Sequence, residues 1–341
     1  MTILKTPVNG APVEMLTAQQ RRFLQEAEHA YNDHKSDWKH LERMNRDDHT
    51  QPPKLVFSWE TDWGESRLEI SENEDFTSSR RIKTNCLQME VNNFKAACTY
   101  YWRVNDSEVY CFTTEDVLPR WIEVGGLTNV RDAGNWKTKY GCPIKQGLLY
   151  RGSEMNIHHT ITEEGKKILC EDLEIKTDLD LRGEGLELTA SPMGENVNLL
   201  VIPIGPYHLF MQNYRKECKE LFELLCDESN YPIYYHCWGG ADRTGTLAFL
   251  LGVVLGMSET DLFLDYELTS LAIWGDRSCK SDLFQSFIRE LQLYAGKNIC
   301  EQACNFLLSC GVTLEQMQKL RHIFLGKEEY WFEADFSYGK S

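Results

Sequence analysis

Several things the sequence has little of bound what this 341-residue protein can be. It has no excess of basic charge: 36 lysines and arginines stand against 52 aspartates and glutamates, for a formal net charge of −16. Nucleic acid and anionic membranes call for clustered basic residues, so neither is an expected partner. No apolar run approaches the ~20 residues of a spanning helix; the longest, Leu247 to Met257, reads as a buried helix. The first residues, MTILKTPVNGAPVEMLTAQQRRF, hold no apolar stretch of signal-peptide type and no lipidation pattern. Paired cysteine spacings are missing as well. Twelve cysteines are scattered from Cys86 to Cys310 with neither small-domain nor zinc-site spacing. That predicts reduced thiols in a cytoplasmic protein and no bound metal. Cys300 and Cys304, one helical turn apart with Cys310 nearby, read as core thiols. No repeat or low-complexity tract interrupts the chain.

What is present is an ordinary folded composition, 42% apolar and 26% charged, over a length that suits two compact units. Residues 18–44 are rich in helix formers of mixed charge, so 1–51 is predicted to be a helical N-terminal segment. After Gln51-Pro52-Pro53 the runs LVFSWE, SRLEI, LQMEV and CTYYWRV are short, β-branched and aromatic, and turn residues separate them. They predict an antiparallel β-sandwich over residues 52–116. From Trp121 strands alternate with helices, so 117–330 is predicted to be an α/β unit with a central, mainly parallel sheet flanked by helices, followed by a tail over 331–341. Thr162 opens a helix through Leu169; Ile175–Leu181, Asn198–Ile204 and Tyr231–His236 read as strands. Ser258 with Asp261, and Thr313 with Gln316 closed by Gly326, punctuate later helices.

One loop carries the chemistry: His236-Cys237-Trp238-Gly239-Gly240-Ala241-Asp242-Arg243-Thr244, between the strand ending at His236 and a helix after Thr244. A tight turn there points the backbone N–H groups from Trp238 through Arg243 into one concavity beside a positive helix end, a nest for phosphate oxygens. Gly239 and Gly240 permit the turn. Arg243 can grip two oxygens with its planar fork. Cys237 at the floor would be a stabilised thiolate able to attack phosphorus. Thr244 can hydrogen-bond the sulfur and help it leave. Asp242 is the candidate proton handler, acid in the first step and base in the second, or else a loop-stabilising acceptor. Asp178 and Asp180 are weaker candidates for the acid, and Asp227 falls at the far end of its strand. Trp238 either walls the entrance or packs against the N-terminal module.

These residues resemble the loop of the protein tyrosine phosphatase superfamily, His-Cys-x5-Arg-Ser/Thr, and more narrowly the atypical bacterial and fungal tyrosine phosphatases with Asp-Arg-Thr-Gly after the cysteine. Asn129-Val130-Arg131-Asp132-Ala133-Gly134, Leu149-Tyr150-Arg151-Gly152-Ser153 and Asp178-Leu179-Asp180-Leu181-Arg182 look like that family's accompanying segments. The resemblance spans about residues 120–325. It implies phosphomonoester hydrolysis through a phosphocysteine with no cofactor, proton transfer by Asp242, and supporting roles for His236, Arg131, Asp132, Arg151, Asp180 and Arg182. Arg131, Arg151 and Arg182 are structural ion-pair partners or cleft-lining cations. Several relatives carry lysine where Ala241 stands, and that lysine accompanies activity on phosphoinositides. Phosphotyrosine in proteins is therefore the first substrate class, a phosphoinositide or inositol phosphate the second, and a phosphate-dependent binding protein the reading from another class. The expected partner is a phosphorylated protein or a small phosphomonoester. Residues 53–116, with Trp59, Phe76 and Tyr100-Tyr101-Trp102-Arg103-Val104, resemble a fibronectin type III or immunoglobulin-like module, which either binds a protein partner or packs on the catalytic unit. His158 and His159 read as an exposed polar turn, and Asp265 to Ser270 as a helix face.

Overall fold

The computed structural model describes residues 2–33, 47–62, 64–183, 186, 189–274 and 277–326. Two short strands, β1 (Thr2–Thr6) and β2 (Ala11–Val13), precede helix α1 (Ala18–Asp33). Then come β3 (Leu55–Thr61), β4 (Ser66–Ser71), β5 (Arg80–Thr84), β6 (Gln88–Val91), β7 (Thr99–Val104) and β8 (Tyr110–Thr114). These strands form two sheets, β1-β3-β6 and β2-β8-β7-β4-β5. Alternate residues of each strand face inward: Phe57 and Trp59 from one sheet meet Leu68, Trp102 and Phe112 from the other in one closed core. The rings of Phe57 and Trp102 meet edge to face at 5.1 Å.

The sandwich draws in more of the chain than residues 52–116. Residues 2–6 pair antiparallel with β3, and 11–13 pair parallel with β8, so the segment predicted as helical contributes two strands before its helix. Each is too short for an alternating pattern to show, and Leu4 and Val13 are their only buried side chains. Helix α1 does form over 18–33; the rest of the helical stretch, to residue 44, lies outside the described residues. Its Phe23 and Ala27 pack into the α/β core rather than the sandwich.

The second unit is built on a five-stranded sheet of order β12-β11-β13-β10-β9, with β9 (Arg131–Asp132), β10 (Leu149–Gly152), β11 (Thr177–Asp180), β12 (Asn198–Val201) and β13 (Ile233–His236). All neighbours run parallel except the antiparallel edge strand β9. Helices α2 (Glu163–Lys167), α3 (Tyr207–Asn213), α4 (Arg215–Leu225), α5 (Asp242–Leu255), α6 (Glu259–Glu267), α7 (Asp282–Leu291), α8 (Ile299–Ser309) and α9 (Leu314–Leu325) complete it. The start and stop signals act as read: Thr162, Ser258 and Thr313 cap α2, α6 and α9, and Gly326, at φ 72°, closes α9 in the left-handed region. No helix among the described residues is long and apolar enough to cross a membrane.

Every residue of the central strand β13 is buried, and α5 is apolar on nearly all sides. The chain therefore leaves the middle of the sheet at its carboxyl edge, turns through residues 237–241, and enters a helix that has no alternative but the core. Ligands bind at this place in open α/β sheets. The sandwich packs on the same unit through Arg120, buried to 4% exposure, which donates to Asp132 Oδ2 at 2.7 Å and to the carbonyls of Phe94 and Asn93 at 2.9 and 2.8 Å. Gln146 and the backbone of Ala96 exchange two further bonds of 2.9 Å.

Candidate active site

Four carbonyls of the loop after β13 are held by the surrounding structure. His236 Nδ1 stands 3.2 Å from the Cys237 oxygen, and Glu154 N–H donates to the Trp238 oxygen at 2.9 Å. Asn129 Nδ2 donates to the oxygens of Gly239 and Gly240 at 3.0 and 3.1 Å, and Arg151 Nη2 to Gly240 at 2.9 Å. In a trans peptide the N–H points opposite to the C=O, and none of these peptides is cis. With four successive oxygens drawn outward, the amides of Trp238, Gly239, Gly240 and Ala241 face the other way, into the concavity above Cys237. A row of amides at the amino end of a helix is the arrangement that can hold an anion.

The two glycines answer different demands. Gly240 sits at φ 65°, and a Cβ there would lie 2.3 Å from the Gly152 oxygen. At Gly239 a Cβ would meet the Trp274 ring at 2.8 Å, so a neighbour and not a positive φ requires that glycine.

Asp242 and Arg243 open α5. Asp242 Oδ1 accepts from Tyr207 OH at 2.5 Å and from Arg277 Nε at 2.8 Å. Tyr207 OH in turn lies 2.5 Å from Tyr266 OH, and burial first, then the Asp242 charge, push the Tyr207 phenol well above its ordinary range. Tyr207 itself holds a φ of 54°, a left-handed conformation that costs a non-glycine residue about 1–2 kcal/mol. Arg243 is half-buried in the first turn. Thr244 is fully enclosed, and its Oγ1 has no hydrogen-bond partner among the described residues. Among the described residues the bond expected from Thr244 to the Cys237 sulfur is therefore not made.

The three arginines of the accompanying segments prove to be ion-pair partners. Arg131 and Arg151 share Asp265, at 3.2 Å to Oδ1 and 2.5 Å to Oδ2. Burial, then the charge of Arg151, hold Arg131 down to about 10; burial would raise Asp265, but the two guanidinium groups hold it below the usual carboxylate range. Arg182 is taken by Asp180 at 2.7 Å and Glu154 at 3.1 Å, with its guanidinium 4.8 Å from the Trp238 ring. Asp180 is thus spent on Arg182, while Asp178 receives His236 Nε2 at 2.9 Å and Ser191 Oγ at 2.7 Å. Neither aspartate is left to serve as the acid. Burial opposes a charge on His236, yet Asp178 outweighs it and lifts the imidazole above its ordinary 6.5. Asp132 does not reach the loop; it accepts from Gly134 and Gly147 N–H and from Arg120, and so ties β9 to the sandwich.

Trp238 stands at the mouth. Its ring lies 5.0 Å from His158, which is 5.8 Å from Trp274. His159 also meets Trp274, at 5.5 Å, and is buried, contrary to the exposed turn predicted for it, whereas His158 is exposed as expected; the backbone N–H groups of residues 156–159 all turn onto the Glu154 carboxylate.

Sequence reasoning assigned no role to Asn129, Glu154, Tyr207, Asp265, Trp274 or Arg277. Asn129 lay within a quoted motif, and its φ of 61° suits asparagine. Asp265 is one of four acids on α6, and nothing local sets it apart from the others. Nothing local marks Tyr207, Trp274 or Arg277, which come to the loop from other elements.

Residues 122–326 match the tyrosine phosphatase family. The match covers more than half of the chain, and the protein belongs to that family: it is a cysteine-type phosphatase. Among solved structures it is similar to the core catalytic domain of the PP-IP phosphatase SIW14 from S. cerevisiae in complex with citrate. That likeness has 21% identity over 37% of this chain and 75% of that chain, with a TM-score of 0.29. A second structure, of the Siw14 catalytic core, is 20% identical over 48% of this chain and 92% of that one, with a TM-score of 0.34. No curated protein matches the chain.

Proposed function

We propose that the protein hydrolyses phosphomonoesters through a phosphocysteine on Cys237, with phosphotyrosine as its substrate class. The orientation of the loop carries this reading: four carbonyls drawn outward leave four amides around a buried cysteine at the amino end of a buried helix. The phosphate's oxygens take those amides and the fork of Arg243. Cys237 Sγ attacks phosphorus as the ester P–O bond breaks, and Asp242 gives its proton to the leaving oxygen. Water then attacks the phosphocysteine, Asp242 takes the proton, and sulfur leaves as thiolate. Thr244, whose buried hydroxyl is uncommitted, turns to the sulfur to assist that departure.

Two observations favour an aryl ester over a polyphosphate. Trp238, His158 and Trp274 make an aromatic rim suited to a flat leaving group. Arg131, Arg151 and Arg182 are each 1% exposed and engaged with carboxylates, so they do not ring the mouth as spare cations in place of the side chain that Ala241 lacks.

The experiment is turnover of p-nitrophenyl phosphate, with and without chelator, by the chain and its Cys237→Ser variant, followed by a phosphotyrosine peptide beside an inositol polyphosphate. Chelator-resistant activity absent from the variant, and higher kcat/KM on the peptide, are expected. A wild type inert from pH 5 to 8 that still binds phosphate tightly would instead make it a binding protein.

A further inference from the structure

Two residues between α6 and α7, Trp274 and Arg277, touch the candidate site. Trp274 covers Gly239, and Arg277 reaches Asp242, its Nε 2.8 Å from Oδ1 and its Nη2 3.5 Å from Oδ2. The main chain of Arg277 is clamped for this: its N–H donates to Ser270 Oγ and its carbonyl accepts from the same hydroxyl, both at 2.8 Å. A second clamp follows where Cys279 N–H donates to Glu267 at 2.8 Å. The ion pair lies at the rim and not in the core, with side chains 26% and 34% exposed.

This contact bears directly on proton transfer. A general acid must donate, and an ionised carboxylate only accepts. While Tyr207 and Arg277 both donate to Oδ1, Asp242 is placed as an acceptor. Among the described residues, the other charged or titratable groups near it are Tyr266, behind Tyr207, and Arg243, the next residue. Among the donors on Asp242, the guanidinium is the one a dianionic phosphate can attract. The amide row of the loop ends at Ala241, one residue from Asp242, and a phosphate oxygen offers a planar fork a better partner than a carboxylate already shared with a tyrosine.

We infer that Arg277 exchanges Asp242 for the substrate's phosphate as substrate binds, so that Asp242 becomes a proton donor only when the loop is filled. This rests on the roles given above to Cys237 and Asp242. On binding, the guanidinium moves to a phosphate oxygen and Asp242 takes a proton from water. In the first step the S–P bond forms, the P–O ester bond breaks and that proton goes to the leaving oxygen. In the second, water's oxygen bonds phosphorus, the S–P bond breaks and Asp242 recovers a proton. When inorganic phosphate departs, Asp242 gives that proton to solvent and Arg277 returns to it. Arg277 is thus a positioning residue that couples substrate binding to the acid.

The test uses Arg277→Gln in the full chain, with kcat and KM for p-nitrophenyl phosphate and phenyl phosphate and the inhibition constant of inorganic phosphate. Loss of one charge-assisted bond to phosphate is expected to raise both KM values and the inhibition constant about tenfold. The ratio of kcat on phenyl phosphate to kcat on p-nitrophenyl phosphate should hold or rise, because the acid is no longer tied. Arg277→Met, of similar length with no donor, carries the same expectation and decides the matter if the glutamine variant fails to fold. Unchanged KM and inhibition constants would overturn the exchange, since Arg277 would then not reach the phosphate. So would a fall in the ratio like that of Asp242→Asn, which would make Arg277 a prop for the acid. Either result with Cys237-dependent turnover intact leaves the phosphatase assignment standing, whereas a wild type without that turnover removes the assignment itself.

Discussion

Replacing Asp242 with asparagine keeps an acceptor oxygen for Tyr207 and Arg277 and removes the proton. Turnover of phenyl phosphate, whose leaving oxygen needs that proton, is expected to fall about 10²–10⁴-fold, and that of p-nitrophenyl phosphate far less. Parallel kinetics on the two esters check this, and equal losses would strip Asp242 of the acid's role. Arg243→Lys keeps the charge but not the fork, and kcat should drop about 10²–10³-fold, the scale of losing a transition-state donor. A variant within severalfold of wild type would mean that the phosphate is not gripped bidentately. The residues that chemistry names directly, Cys237, Asp242, Arg243 and their glycines, were legible in the sequence because they are adjacent in it. Tyr207 and Arg277 were not, since each meets Asp242 from 35 residues away in the chain and neither stands in a pattern that a nearby residue explains.

At the level of elements, the loop depends on a scaffold behind it. Asp265 on α6 holds Arg131 of β9 and Arg151 of β10 together, and Arg151 in turn holds the Gly240 oxygen. Asp265→Asn leaves two buried like charges facing each other and should cost about 3–5 kcal/mol, the usual penalty for breaking a buried pair. Urea unfolding measures it, and a cost under about 1 kcal/mol, the scale of an exposed pair, would mean the arginines find other partners. His236 supplies a pH dependence with a definite sign. Its imidazole is lifted above 6.5 by Asp178 despite burial, so the folded state holds the proton more tightly. That stabilisation is fully present below the unfolded value and is lost as pH rises through the folded one. Wild type minus Asp178→Asn, followed by urea unfolding from pH 6 upward, should shrink with pH; a difference that grows would reverse the assignment. The strand-loop-helix order was readable here from β-branched runs, caps and the apolar α5. The Asp265 hub was hidden because one acid among four on a helix looks the same whether it faces solvent or two arginines.

Across the whole molecule, sandwich and phosphatase unit are fastened by buried polar groups. Burial works against the Arg120 charge, and the surrounding phenols with Asp132 restore it and raise it further. Gln20 of α1 donates to the carbonyls of His49 and Gln51, and Thr50 between them accepts from the N–H of Asn129. The N-terminal segment thus backs the residue that holds the loop's carbonyls. Arg120→Leu should lower stability by about 3–5 kcal/mol by leaving Asp132 buried and unpaired, with sandwich and phosphatase signals still unfolding together. Separate transitions in the wild type would show that the units are independent. The two-unit architecture was visible as a change of texture near Trp121, but the sandwich's first strands were not, because three- and five-residue strands carry too few core side chains to announce themselves.

In the proposed reaction Cys237 carries the phosphoryl group. Rapid quenching of the full chain in acid during turnover of p-nitrophenyl phosphate, followed by peptide mass spectrometry, tests it directly. A phosphoryl adduct confined to the peptide bearing Cys237, formed within the first turnover and absent from Cys237→Ser, is the expected result; turnover with the adduct on another residue, or undiminished in that variant, would contradict it.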